Sequence, residues 1–209
     1  KSCIHGLQRG LTSYTSNYGL LELREEIARS VFNDYGVKYD PRSEVLVTVG
    51  VSEALDLAVR AIIAPGDEVL IPEPCYVSYH ACVNLAGGKA VPVPTYMTNE
   101  FRPTVEDLEA RVTNRTKAIL IGYPNNPTGT ILTREELLAI ADFAHKHDLI
   151  VISDEIYGKL TYEGDHICFA SLPGMRDRTI LLNGFSKAYA MTGWRIGYAL
   201  SNPEFIAAM

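Results

Sequence analysis

Residues 44–74 read EVLVTVGVSEALDLAVRAIIAPGDEVLIPEP, and the spacing of their apolar side chains changes twice. Residues 44–50 form a valine-rich run that is typical of a buried strand. Residues 52–64 carry apolar side chains at helical spacing, and Pro65 with Gly66 ends that helix. Residues 67–74 then predict a second strand. Strand, helix and strand in this order are the repeating unit of an α/β fold.

The same alternation continues along the chain. Thr104 is expected to cap one helix, and Thr133 with Glu136 forms a capping box ahead of another. Runs of strand type are AVPVPT, whose prolines favour a sheet edge, and KAILIGY, LIVISDEIY, TILLNG and GYALS. The sequence predicts a three-layer α/β/α fold with a mostly parallel sheet.

Composition excludes several classes of partner. The chain has 209 residues with a net charge of -6 and no basic block, which argues against nucleic acid or an anionic membrane surface. No apolar stretch approaches the roughly 18 residues of a membrane helix. The four cysteines show no CxxC spacing, so they predict reduced thiols and a cytoplasmic protein. No residue pattern predicts a metal site.

Three common active-site motifs are missing from the sequence. No GxGxxG follows a strand, no P-loop is present, and no GxSxG elbow occurs. The chemistry of this chain must therefore come from other residues.

Polar side chains stand where four predicted strands end. Because ligands of parallel sheets bind at the carboxyl ends of the strands, we expect these side chains to form one site. In chain order they are Val51 and Ser52, Asn126, Asp154 and Tyr157, and Ser186 and Lys187, with Arg195 further on in TGWRIG.

Each of these residues also has an ordinary interpretation. Ser52 and Asp154 each fit a helix N-cap, PNNPTG fits a turn, and Lys187 fits a surface loop. However, a carboxylate directly after a buried strand is costly unless it is paired. A desolvated lysine beside a cation has a lowered pKa and can act as a nucleophile.

Together the strand ends offer a helix N-terminus for an anion, an amide, a carboxylate, and a lysine with an arginine. A phosphorylated, cationic heterocycle that carries a carbonyl would use all of them. Pyridoxal 5'-phosphate (PLP) has this chemistry: an aldehyde for Lys187, a phosphate for Arg195 and the helix, and a pyridinium nitrogen for Asp154.

Almost the whole chain resembles the class I and II aminotransferases, which are PLP enzymes of fold type I. The motifs that carry the resemblance are YGLLELREEIA, PNNPTG, SDEIY and SKAYAMTGWRIGY, in this order. The spelling of EPCYVSY and LAGGKAVPVPT is similar to the aromatic-type and related bacterial and archaeal aminotransferases.

The resemblance implies a role for each matching residue. Lys187 would form the Schiff base with PLP and move the proton at the substrate's Cα. Asp154 would keep the pyridinium nitrogen protonated. Tyr157 and Asn126 would hydrogen-bond the phenolic oxygen of PLP, which lowers the Schiff-base pKa, and Tyr76 would stack on the ring.

The resemblance also implies the phosphate contacts and the assembly. Val51, Ser52, Ser186 and Arg195 would hold the phosphate within one subunit. Tyr14 would reach the phosphate of the neighbouring subunit, which implies a homodimer with active sites at its interface.

Family members are longer than this chain. Residues 1–209 are expected to be the PLP-binding large domain, with residues 1–43 as an N-terminal segment and helix that lead into it. The small C-terminal domain, with the arginine that binds the substrate carboxylate, is expected to lie outside the chain.

The leading hypothesis is a PLP-dependent aminotransferase (EC 2.6.1.-). It would move an amino group between an amino acid and a 2-oxo acid by a ping-pong mechanism. Two alternatives stay open: a PLP-dependent lyase or synthase on the same scaffold, and a non-catalytic module that binds PLP or dimerises. The sequence does not predict which amino acid is the donor.

Overall fold

A seven-stranded sheet runs through the computed structural model, which describes residues 1–209. The strands are β1 (Val45–Thr48), β2 (Glu68–Glu73), β3 (Lys89–Pro94), β4 (Thr116–Gly122), β5 (Ile150–Asp154), β6 (Thr179–Gly184) and β7 (Gly197–Leu200). Their spatial order is β1-β7-β6-β5-β4-β2-β3. Only β7 runs antiparallel to its neighbours, so the predicted mostly parallel sheet is confirmed.

Helices cover both faces of this sheet. They are α1 (Ser2–Gln8), α2 (Leu21–Tyr35), α3 (Gly50–Ile62), α4 (Ser78–Leu85), α5 (Val105–Glu109), α6 (Arg134–Lys146) and α7 (Pro203–Ala208). Short 3₁₀ turns connect several elements, among them Gly158–Leu160 and Thr192–Trp194. Each helix is too short or too polar to cross a membrane.

The two faces are separated by the alternation of side chains along the strands. On β4, Leu120 packs in a buried cluster with Leu55 of α3, whereas the adjacent Ile119 packs in another with Ile140 of α6. The second face continues over β6, where Leu181 packs with residues of α2. A fully apolar strand thus needs a helix on each side, and the predicted three layers are confirmed.

Local expectations from the sequence are mostly confirmed. Thr104 caps α5, and Thr133 with Glu136 forms the capping box of α6. AVPVPT supplies β3, which lies at a sheet edge as its prolines predicted.

The two N-cap interpretations of site residues are wrong. α3 starts at Gly50 with Val49 in the N-cap position, so Ser52 lies inside the first turn. Asp154 is the last residue of β5, and its Oδ1 accepts the N–H of Ile156 in a turn. Both side chains are therefore free of capping and available to a site.

Three glycines bring β6, β7 and the start of α3 into close contact. A Cβ on Gly197 would collide with the backbone of Gly50, and one on Gly184 would lie 2.9 Å from the Cα of Gly197. Gly50 also has a φ of 76°, a conformation that other residues rarely adopt. Only glycine at these positions lets the α3 N-terminus lie against the ends of β6 and β7.

Candidate active site

The carboxyl ends of β1, β4, β5 and β6 lie at the same edge of the sheet. β1 and β6 run in the same direction because β7 is antiparallel to both. A cavity of about 270 Å³ opens at this edge. Nine of the ten residues predicted from the sequence line it: Val51, Ser52, Tyr76, Asn126, Asp154, Tyr157, Ser186, Lys187 and Arg195.

Tyr14 is the predicted residue that does not join the cavity. Its side chain is fully exposed, in a segment that follows α1. Helix α1 itself has no buried residue, although Ile4 and Leu7 are apolar. The prediction that Tyr14 serves a neighbouring subunit stays a prediction, since it concerns a second copy of the chain.

Asp154 is a buried carboxylate at the cavity wall. Its Oδ2 accepts a hydrogen bond from the Tyr79 hydroxyl at 2.9 Å, and its Oδ1 accepts the Ile156 N–H at 3.2 Å. Burial raises the pKa of Asp154 to about 6, although these two hydrogen bonds act in the opposite direction. No cationic side chain pairs with it, so the site contains an uncompensated buried acid facing a cavity.

The neighbouring carboxylate, Glu155, faces away from this cavity. Its Oε1 accepts hydrogen bonds from Ser153 Oγ at 3.0 Å and from the Phe169 N–H at 2.9 Å, and its Oε2 lies 2.6 Å from His166 Nε2. These partners lie on the other face of the sheet from α3. Of the two acids of SDEIY, Asp154, the one expected from the sequence, therefore lines the cavity, and Glu155 does not.

Tyr79 is a site residue that sequence reasoning missed. It is buried on α4, donates to Asp154, and its ring is nearly perpendicular to that of Tyr76 at a centroid distance of 5.8 Å. A Cβ on Gly122 would collide with its hydroxyl. The available signal was the spacing of the two tyrosines in YVSY, which places them on one side of a helical turn.

We predict that Tyr79→Phe destabilises the protein more at pH 8 than at pH 4. The lost hydrogen bond supports the ionised carboxylate, which is present above a pKa of about 6 and absent at pH 4. A hydrogen bond to a charged group contributes about 1.5–3 kcal/mol, so the cost should be about 1 kcal/mol greater at pH 8. Urea unfolding at both pH values, without added cofactor, measures the difference.

Tyr39→Phe is the matched control for this prediction. Tyr39 is also buried, but its hydroxyl has no hydrogen-bond partner. Removing that hydroxyl should cost little at either pH. Equal losses for Tyr79→Phe at pH 4 and pH 8 would show that the hydroxyl does not support the Asp154 charge.

Lys187 and Arg195 bring two cations to the cavity. The Lys187 Nζ lies 5.5 Å from the centroid of the Tyr157 ring, and Arg195 Nη1 donates to the Thr192 carbonyl at 3.0 Å. Neither side chain pairs with a carboxylate. Both side chains are exposed in this chain, so Lys187 is not desolvated here as the sequence-based interpretation expected.

The start of α3 completes an anion-binding corner. Val51 and Ser52 lie in its first turn, where backbone N–H groups have no partner within the helix. The Arg195 guanidinium lies against Gly50, whose Cβ, if present, would come within 2.5 Å of Nη2. Helix N–H groups, the Ser52 and Ser186 hydroxyls and a guanidinium thus converge on one corner of the cavity.

Residues 1–209 match the family model described as "Aminotransferase class I and II". The putative aminotransferase YugH of Bacillus subtilis is 55% identical over 199 residues, which cover 95% of this chain and 52% of that protein. An aspartate aminotransferase of Pyrococcus abyssi is 50% identical over 204 residues, covering 97% of this chain and 52% of that protein.

A solved structure shows the same fold. The crystal structure of an aromatic aminotransferase from Pyrococcus horikoshii superposes with a TM-score of 0.96 at 48% identity, and the match covers 98% of this chain and 55% of that one. The chain spans about half the length of the curated relatives it matches.

Proposed function

Because the chain belongs to the class I and II aminotransferase family, we propose that this protein uses PLP to move an amino group between an amino acid and a 2-oxo acid. One observation carries the proposal. A single cavity holds one primary amine, an anion-binding corner and a buried carboxylate without a counter-cation. These are complementary to the aldehyde, the phosphate and the ring nitrogen of PLP.

The unpaired charge of Asp154 supports this assignment most directly. An ionised carboxylate in a buried site is unfavourable unless a cation compensates it. A protonated pyridine nitrogen would supply that cation, and Asp154 would in return hold the proton on the nitrogen. Tyr79 would keep the carboxylate oriented toward the ring.

The anion-binding corner would hold the phosphate. The N–H groups of Val51 and Ser52, the Ser52 and Ser186 hydroxyls, and the Arg195 guanidinium are the available donors. Arg195 has no acidic partner to compete for it, so its charge is free for a phosphate. Tyr76 would stack on the PLP ring, and the residues of α3 that line the cavity would bound the space open to that ring.

PLP, when bound, supplies an aldehyde that condenses with amines and a ring that accepts electrons from the substrate's α-carbon. Lys187 would provide the amine of the resting site and then take and return the proton at the substrate's Cα. Tyr157 and Asn126 would hold the phenolic oxygen of the cofactor. The substrate's carboxylate would be bound by a residue outside this chain.

We also propose a domain role for the chain, a homodimeric assembly and a cytoplasmic location. Residues 1–209 would be the large, PLP-binding domain, with residues 1–43 leading into it. Two copies would form a homodimer in which Tyr14 of each reaches the phosphate of the other, because Tyr14 is exposed and outside its own cavity. Four free cysteines agree with a cytoplasmic location.

An absorbance titration with PLP, followed by substrate assays, tests the proposed function. We expect a visible band whose intensity depends on pH, and bleaching of that band by an amino donor. Aromatic, acidic and branched donors with 2-oxoglutarate then identify the substrate, which the relatives leave undecided between aspartate and aromatic amino acids.

Two results would overturn this proposal. A folded protein without the band at saturating PLP would remove the cofactor assignment. Release of pyruvate and ammonia from a cysteine-type donor, without any acceptor, would replace transamination by a lyase reaction on the same scaffold.

A further inference from the structure

Asn125 lies next to the predicted cofactor contact Asn126 but does not line the cavity. It is 8% exposed and uses the whole hydrogen-bonding capacity of its side chain. Its Oδ1 accepts from the N–H and the Oγ1 of Thr128 at 3.2 and 2.9 Å. Its Nδ2 donates to the carbonyl oxygens of Pro74 at 3.2 Å and Gly122 at 3.3 Å.

One of these four hydrogen bonds joins two walls of the cavity, and the other three lie within the loop of Asn125 and the end of β4. The acceptor side closes the turn of PNNPTG, together with the main-chain bond from Asn125 N–H to the Thr130 carbonyl at 2.8 Å. The donor side reaches Pro74, which lies 51 residues earlier and two residues before Tyr76. Asn125 thus ties the loop that carries Asn126 to the segment that carries Tyr76.

We propose that Asn125 is a positioning residue that fixes the separation of Tyr76 and Asn126, and thereby holds the ring of the cofactor between them. The inference rests on the proposed function, since it assigns both neighbours to the cofactor. Asn125 acts only through them. A side chain with two donors and two acceptors, all used, tolerates no rotation of the amide without leaving a buried polar atom unpaired.

Asn125→Asp removes both Nδ2 donor contacts, which include the one contact that crosses between the two walls, to the Pro74 carbonyl. The substitution keeps the shape and both acceptor contacts with Thr128, but it places a second oxygen against the carbonyls of Pro74 and Gly122. At pH 8 we expect PLP affinity to fall about tenfold, the upper range for one lost hydrogen bond. We also expect the pH midpoint of the visible band to rise, because Asn126 is less well held against the phenolic oxygen.

Lower pH gives a rescue within the same variant. Protonation of the introduced carboxyl restores one donor toward the carbonyls. The ratio of wild-type to N125D affinity, compared at equal pH, should therefore shrink as the pH falls from 8 to 5. A purely packing defect would leave this ratio unchanged and would contradict the proposal.

Thr128→Val is the matched control, because it removes hydrogen bonds within the turn, one with Asn125 and two with Thr130, and leaves the Nδ2 donors in place. We expect its PLP affinity to stay within about twofold of wild type, as expected for a half-exposed hydrogen bond. Hydrogen exchange in the free protein should increase in residues 74–78 and 124–129 for N125D, but only in 124–129 for T128V. If N125D does not fold, N125A, which removes the donors and the Oδ1 acceptor without the repulsion, is compared with T128V instead.

The outcomes separate this inference from the proposed function. Equal losses of PLP affinity in N125D and T128V, or unchanged exchange in residues 74–78, would show that Asn125 only shapes its own turn. A wild-type protein that binds no PLP would overturn the proposed function and this inference with it. Wild-type binding together with unaltered N125D binding would overturn the inference alone.

Discussion

Lys187→Ala should abolish the visible absorbance band with PLP and reduce transamination by at least about 10⁴-fold, the upper range for a positioned proton-transfer group. Among the residues that line the cavity, Lys187 carries the only primary amine. Arg195 cannot replace it, because a guanidinium stays protonated and does not act as a nucleophile at ordinary pH. An absorbance spectrum measures the loss of the band, and end-point assays of product formation measure the loss of transamination.

Lys159→Ala is the matched control for this result. Lys159 also lies near the Tyr157 turn, but its Nζ pairs with Asp34 at 2.9 Å and does not line the cavity. Its removal should leave the band and the rate close to wild type. A band that survives in Lys187→Ala would mean that another amine reacts with PLP, and the proposed role of Lys187 would be wrong.

Asp154→Asn should have two effects of opposite sign. It should lower transamination by about 10³-fold, because a neutral amide does not keep the ring nitrogen protonated. A protonated nitrogen is what would stabilise the negative charge that develops at the substrate's Cα. The substitution should also stabilise the cofactor-free protein at pH 8, since the wild type must keep an ionised carboxylate in a buried site. Rates with saturating PLP and urea unfolding without PLP measure the two effects.

The free energy of unfolding of the cofactor-free protein depends on pH because the pKa of Asp154 is raised in the folded state. The unfolded state has an ordinary pKa of 3.8 and the folded state one of about 6. The folded protein therefore binds the proton more tightly, and its free energy of unfolding falls as the pH rises from about 4 through about 6. The shift corresponds to a loss of about 3 kcal/mol above that window, which Asp154→Asn should recover at pH 8 but not at pH 4.

Asp142→Asn provides the control for charge removal alone. Asp142 is exposed on α6, far from the cavity, and its replacement should change stability little at either pH. If Asp154→Asn gave no gain at pH 8, the carboxylate would already be compensated in the free protein. That result would weaken the argument that the site lacks a cation until the cofactor binds.

Some site residues can be predicted from the sequence alone, and others cannot. Asn126, Asp154 and Lys187 were recognised because each follows an apolar strand, and parallel strands end at a common edge. Tyr79 was not recognised, because its contact with Asp154 joins residues that are 75 positions apart. Asn125 was passed over for a related reason, since its neighbour in PNNPTG carried the motif and its own bond to Pro74 is long-range.

The sequence by itself determined the layers, the strands and the set of chemical groups at the strand ends. These follow from local periodicity and from motifs in which each residue type is needed for its own chemistry. Only the tertiary structure decided that Glu155 turns away from the cavity, that Lys187 and Arg195 remain exposed, and that Tyr79 bonds Asp154 and Asn125 bonds Pro74. Such choices depend on contacts between segments distant in the chain, which no local pattern encodes.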